Sequence, residues 1–181
     1  AAGSNATTGS YNIAIGYAPI NIGVLTGASN VVVGHQAGAD LTSGSYNSFV
    51  GYHAGYNATS STNTVAIGKN AIGLGALTGD ENVGIGNAAG YDLTTGGFNI
   101  MMGYIAGANV TTGSDNIIIG PNAGVSLTTG SNNTIIGHDA QPSSASVSNE
   151  ITLGGTNVTD VRIPGVGFYI DNGDVGIGTA S

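Results

Sequence analysis

The chain has no cysteine and no tryptophan, only three phenylalanines in 181 residues, and just two basic side chains, Lys69 and Arg162, against ten acids. Without cysteine there are no disulfides, no thiolate chemistry and no cysteine-based zinc sites, although the redox compartment stays open. A net charge of -8 leaves no basic patch to neutralise phosphates, so nucleic acid and anionic membrane surfaces are poor partners. Charged residues of both signs make up only 7% of the chain, too few for large surface helices built on Glu, Lys and Arg. No apolar run approaches the roughly 20 residues of a membrane-spanning helix. What the chain has in quantity is glycine, 33 residues of it, and the glycines are periodic.

"TTGSDNIIIG" at residues 111–120 returns at 128–137 as "TTGSNNTIIG". Anchoring on the glycine that closes each apolar run gives Gly16, Gly34, Gly51, Gly68, Gly86, Gly103, Gly120, Gly137 and Gly154, spaced by 17 or 18 residues. A short fixed period marks a solenoid, in which each unit buries its face by stacking on its neighbours. Seventeen residues are too few for two helices. The period suits an all-β parallel solenoid of about nine coils over residues 1–155, each with two short strands and two turns, the "LTTGS" limb supplying the second strand. At the sheet spacing of about 4.8 Å such a rod is on the order of 40 Å long. The opening "AAGSNATTGS" reads as the inside of a repeat, so the chain is expected to be part of something longer.

The columns of the apolar run assign its faces. Directly before the anchor glycine stand Ile15, Val33, Val50, Ile67, Ile85, Met102, Ile119, Ile136 and Leu153, expected to line the inside of the coil. Two residues before the glycine, on the other face of a period-2 strand, stand Ala14, Val32, Phe49, Ala66, Gly84, Met101, Ile118, Ile135 and Thr152. An uncharged second face implies burial against a covering element or another copy of the chain. Val32, Phe49, Met101, Ile118 and Ile135 are thus the expected self-association surface. An Asn column (Asn12, Asn30, Asn47, Asn63, Asn82, Asn99, Asn116, Asn133, Asn149) reads as an internal amide ladder. The glycines before it, such as Gly9, Gly44, Gly96, Gly113 and Gly130, are expected to take positive φ at a corner. Three residues past the anchors, Ala37, Ala54, Ala71, Ala89, Ala106, Ala123 and Ala140 keep two parts of the coil close.

Chemistry-bearing residues are sparse. Tyr17, Tyr52 and Tyr104 follow anchor glycines, and Tyr11, Tyr46 and Phe98 precede the Asn column. These six are the candidate ligand-binding residues, because exposed aromatic faces beside Asn and Asp suit sugars, while stacking between coils is the structural alternative. His35 and His53 sit on successive coils without an acidic ligand set, and exposed turn positions account for them and for His138. Asp171 and Asp174 in "DNGD" lack calcium-loop spacing, and Asn172-Gly173 between apolar alternations signals a hairpin. Asp40 and Asp92, with Asn57 and Asn109 in the same slot, form a polar outer column. No Ser/His/Asp order stands out from the turn-rich background, so no enzyme, metal or cofactor is expected. The Thr doublets, such as Thr94-Thr95 and Thr111-Thr112, raise a rival array of the kind found on ice-binding solenoids, although Thr is also a natural β-former next to turns.

"GSYNIAIG", "GASNVVVG" and "GSDNIIIG", each followed within a few residues by Ala and mostly by an Ala-Gly pair, resemble the head repeats of trimeric autotransporter adhesins of the YadA type, and the repeat regions of phage tail fibres and bacterial fibre proteins. "NGDVGIGTAS" at the C-terminal end resembles the stretch preceding the self-cleaving intramolecular chaperone of endosialidase-type tail spikes, so residues 156–181 are expected to form an exit segment leading to it. The resemblance implies a left-handed β-roll, a homotrimer, and an extracellular place on a cell surface or a virion tail fibre. It also implies attachment to surface glycans or presentation of a tip, the alternative being a purely structural shaft. The coils here are a few residues longer than the usual adhesin-head repeat, mostly in the "GYDLTTG" limb.

Overall fold

The computed structural model describes residues 8–21 and 24–159. The expected exit segment beyond residue 159, with the Asn172-Gly173 hairpin, lies outside the described residues.

Nine three-residue strands follow one another: β1 (Ile13–Ile15), β2 (Val31–Val33), β3 (Ser48–Val50), β4 (Val65–Ile67), β5 (Val83–Ile85), β6 (Ile100–Met102), β7 (Ile117–Ile119), β8 (Thr134–Ile136) and β9 (Ile151–Leu153). They form one parallel sheet in chain order. Each strand pairs with the next in strict register, from Ile13 opposite Val31 to Thr134 opposite Ile151. The chain therefore climbs one rung per repeat, and the fold is the expected all-β parallel solenoid. No helix occurs among the described residues.

The coil holds one strand rather than two. In the "LTTGS" limb the N–H groups of Thr42 and Ser43 both donate to the Thr59 carbonyl, at 2.9 and 3.2 Å. A strand alternates its donors between its two sides, whereas consecutive donors converging on one carbonyl belong to a chain that is turning. The limb is hydrogen-bonded from rung to rung, as from Thr94 N–H to the Thr111 carbonyl at 2.9 Å, but it is bent.

The strand faces are the reverse of the sequence expectation. Val32, Phe49, Met101, Ile118 and Ile135 are wholly buried inside the single chain, so they form no outer surface. The residues on either side of them point outward: Ile15, Val50, Ile67, Met102, Ile136 and Leu153 are exposed, as are Ile13, Val31, Ile100, Ile117 and Ile151. A three-residue strand places its middle side chain on one face and its two ends on the other. The inner column shares the core with the Ala37–Ala140 column, all of it buried, and with Leu41, Leu93 and Leu127.

Packing within that core trades volume between two slots. Where the strand carries Phe49, the corner four residues past the anchor is Gly55, whose added Cβ would lie 2.7 Å from the Phe ring. Where the strand carries Gly84, the buried Ile72 fills the gap, 2.6 Å from the position a Cβ at residue 84 would take. At these two places a large residue in one slot faces glycine in the other, Ile72 coming from the rung before Gly84, and the interior stays filled.

The amide ladder is present, with two corrections. Asn30 donates its Nδ2 to Asn12 Oδ1 at 2.9 Å and to the Gly44 carbonyl at 3.0 Å, while its own Oδ1 accepts from Asn47 N–H and Nδ2. Asn99, Asn116 and Asn133 repeat this arrangement on buried rungs. Asn63 and Asn149 do not belong to the ladder; Thr64 and Glu150 hold its slots, their N–H groups donating to Asn47 and Asn133 Oδ1 at 2.9 Å. Asn63 and Asn149 stand one residue earlier, at a corner of positive φ shared with Tyr11, Tyr46 and Phe98. That corner, and not the preceding glycine, carries the left-handed turn. Gly44 and Gly96 are needed for a different reason: a Cβ on either would lie 2.1 Å from the carbonyl oxygen of the next rung.

Candidate functional site

Two surfaces of the rod depart from an ordinary polar exterior. The first is the outer face of the sheet. Of the 18 end positions of the nine strands only Ser48 and Thr134 are polar, and none is charged. Ile117 in β7 is 38% exposed, and values of 36–39% recur at Val31, Val50, Ile67, Ile100, Met102 and Ile136. Parallel pairing at constant register makes this a flat apolar ribbon about 40 Å long and three residues wide.

The second is the corner edge directly after the anchor glycines, a column running Tyr17, His35, Tyr52, Lys69, Asn87, Tyr104, Pro121, His138. Its first three rings stack from rung to rung: Tyr17 on His35 with centroids 4.9 Å apart and 19° between planes, then His35 on Tyr52 at 5.1 Å and 17°. The neighbouring column adds His53, stacked on Tyr52 at 3.9 Å, and Tyr56 lies 4.7 Å from His53. His53 Nε2 meets Gln36 Oε1 at 3.0 Å. Burial, with His35 as a second cause, lowers the His53 pKa below the ordinary histidine value. Five rings therefore converge within three consecutive coils.

The six aromatics expected to bind ligand are all exposed, but only two belong to the ring cluster, on either side of His35. Tyr17 and Tyr52 share the stack and are 71% and 46% exposed. Tyr104 is three rungs beyond Tyr52, with Lys69 and Asn87 between. Tyr11, Tyr46 and Phe98 occupy the positive-φ corner, separated along their column by Ser29, Asn63 and Glu81. His35, His53, Tyr56 and Gln36 were not among the sequence candidates. Adding histidines to the column after the anchor glycine would have found the run Tyr17, His35, Tyr52.

The remaining polar features have structural work. Among the described residues the first Thr of the doublets spends its hydroxyl on the next rung: Thr94 Oγ1 donates to the Thr111 carbonyl at 2.9 Å, and Thr111 Oγ1 to that of Thr128 at 3.1 Å. Asp40 lies in the outer polar column; burial raises its carboxyl pKa, and Oδ1 has no hydrogen-bond partner. Asn57 and Asn109, in the same slot, donate to the Leu74 and Val125 carbonyls. His138 pairs with Asp139 at 2.9 Å beside a small cavity of about 190 Å³ at the last rungs. Among the described residues no three His, Asp or Glu side chains gather as a metal site.

No family model, curated protein or solved structure matches the chain.

Proposed function

We propose that the chain is a non-enzymatic segment of a trimeric attachment fibre, extracellular on a cell surface or a virion tail, that recognises surface glycans or carries a tip. The outer apolar ribbon carries this reading. Sixteen apolar side chains, eleven of them with more than a third of their surface open and the other five half-buried, amount to on the order of 1,000 Å² per chain, the size one partner contributes to a stable interface. Monomeric proteins seldom leave so large a contiguous apolar area in water. Chains packed parallel about a common axis bring each rung against the same rung of its neighbour, which a fibre of identical chains requires. The number three comes from the adhesin-head resemblance. The interface lies on the strand-end columns, not on the buried middle column that the sequence first suggested.

Light scattering on the purified chain tests the proposal: a mass of three times 17.6 kDa is expected, and a stable monomer would refute it. Ile117→Asp is expected to reduce the trimer to monomer with its β-type circular dichroism retained, since the side chain faces outward and leaves the core of its own chain intact. A trimer that tolerates this substitution would move the interface elsewhere. The ice-binding alternative loses ground because the first Thr column is engaged with the backbone.

A further inference from the structure

We infer that the ring stack of Tyr17, His35, Tyr52, His53 and Tyr56, together with Lys69, forms a binding site for a carboxylate-bearing saccharide of the uronate type. The proposal rests on reading the chain as an attachment segment, and it names the ligand class and the part of the rod that takes it.

The ring stack supplies the first half. Five ring side chains gather in three coils of a chain with only eight Tyr, three Phe and three His in all. Each ring joins an apolar body to a polar edge, a phenol or a ring nitrogen, the combination that meets the C–H faces and hydroxyl rims of pyranose rings. Tyr17 and His35, and His35 and Tyr52, are spaced close to the rung separation, so their polar edges recur at about 4.8 Å along the rod. An extended oligosaccharide laid along this edge meets a repeating set of donors and acceptors.

Lys69 supplies the second half. Of the two basic residues in the chain, it is the one that lies among the described residues, and it occupies the rung directly after Tyr52 in the same column. Gly51 and Gly68, which precede Tyr52 and Lys69, are in backbone contact, a Cβ on Gly51 falling 2.5 Å from the Gly68 carbonyl oxygen. The one salt bridge among the described residues is His138 with Asp139, so Lys69 forms no ion pair there with an acid of this chain. In a chain of net charge -8, a lone ammonium at the end of an aromatic row supplies a point charge for one carboxylate. The net negative charge of the chain selects against polyphosphates, which carry more charge per unit than a uronate with its single carboxylate.

The test is titration calorimetry of the full chain with three probes, an oligogalacturonate, an oligoalginate and a hyaluronan hexasaccharide, with the fully methyl-esterified oligogalacturonate as the uncharged control. Binding of at least one acidic probe is expected, with affinity lost tenfold or more in the ester, in Lys69→Gln and in Tyr52→Ala, and unchanged in Pro121→Ala, at an exposed position four rungs beyond Tyr52 in the same column. Salt is expected to weaken the wild type and to leave Lys69→Gln nearly unaffected. No binding to any of the three, equal binding of acid and ester, or full affinity in Lys69→Gln would each overturn the site. Mass is measured on the same samples: a trimer that binds none of the probes removes the site and leaves the fibre, whereas a monomer that binds one keeps the site and removes the fibre.

Discussion

The rungs between Gly86 and Gly137 and the single rung between Gly68 and Gly86 solve the same packing problem differently. In the regular block each Asn of the ladder bonds the Asn before it, each corner after the Ala column is glycine, and each strand carries a large inner residue, Met101, Ile118 or Ile135. The Gly68 rung is one residue longer. The ladder breaks just before it at Thr64, its corner residue is Ile72 at φ 44°, and its closing strand carries Gly84. The interior is sealed in both places. What the solenoid preserves from rung to rung is summed core volume and satisfied backbone, with the residue type in any one slot free to change when a second slot compensates.

Breaking the regular block should cost most. Asn99→Ala removes the acceptor of Asn116 N–H and Nδ2 and the donor to the Gly113 carbonyl, in a region closed to water. Two buried groups without partners, the Asn116 N–H and the Gly113 carbonyl, with Asn116 Nδ2 left only its bond to the Gly130 carbonyl, give about 4 kcal/mol of destabilisation. Denaturant unfolding at fixed chain concentration measures it. A loss below about 1 kcal/mol would mean that water enters the ladder and that its bonds are replaceable.

The exceptional rung offers a reciprocal exchange. Ile72→Gly alone opens a cavity and should cost about 3 kcal/mol, moderated by relief of a β-branched residue from positive φ. Gly84→Ile alone drives a side chain into Ile72, where even a Cβ would approach to 2.6 Å, and overpacking of this kind costs about 2 kcal/mol. The double variant restores the pattern of the Ile118 rung, with glycine at the corner and isoleucine on the strand. It is expected within about 1 kcal/mol of wild type, a coupling that distant sites do not show. Additive losses would mean that the two slots do not share one space.

The period, the alanine column and most of the amide ladder were legible because each is a demand of the backbone that one residue type meets best. The faces of the strand were not. Three consecutive apolar residues, as in Ile117–Ile119, carry no alternation to show which side is inner. The readable signal lay in size: the middle column swings from Gly84 to Phe49 in step with its corner partner, while the strand-end columns stay nearly uniform in size, as a flat exposed ribbon does. The positive-φ corners were hidden for another reason. Tyr11, Tyr46, Phe98, Ala88 and Ile105 adopt left-handed backbone that local preference does not favour, and stacking against identical corners on adjacent rungs overrides that preference. The aromatic cluster was half visible, since Tyr17 and Tyr52 share a column but the histidine between them reads as a turn residue until the rungs are aligned.

Repairing the ladder should have the smallest effect and the opposite sign. Thr64 N–H already donates to Asn47 Oδ1 at 2.9 Å, but its hydroxyl reaches only the Thr62 carbonyl, at 3.5 Å. Asn82, the next member, turns its Nδ2 toward Gly79 and Asp80 on its own rung, at 3.2 and 3.1 Å, as well as toward the Gly96 carbonyl at 2.9 Å. Thr64→Asn would give Asn82 the carboxamide acceptor that Asn99 and Asn116 have, and would offer Asn47 Oδ1 a second donor. A net gain of about 1 kcal/mol is the usual worth of such a bond. A loss instead would identify what occupies the gap, because Ser61, standing where its neighbouring rungs carry glycine, buries a hydroxyl without a partner. Adding Ser61→Gly would then recover the stability, showing that the break at this rung is set by crowding from Ser61 and not by the choice of threonine.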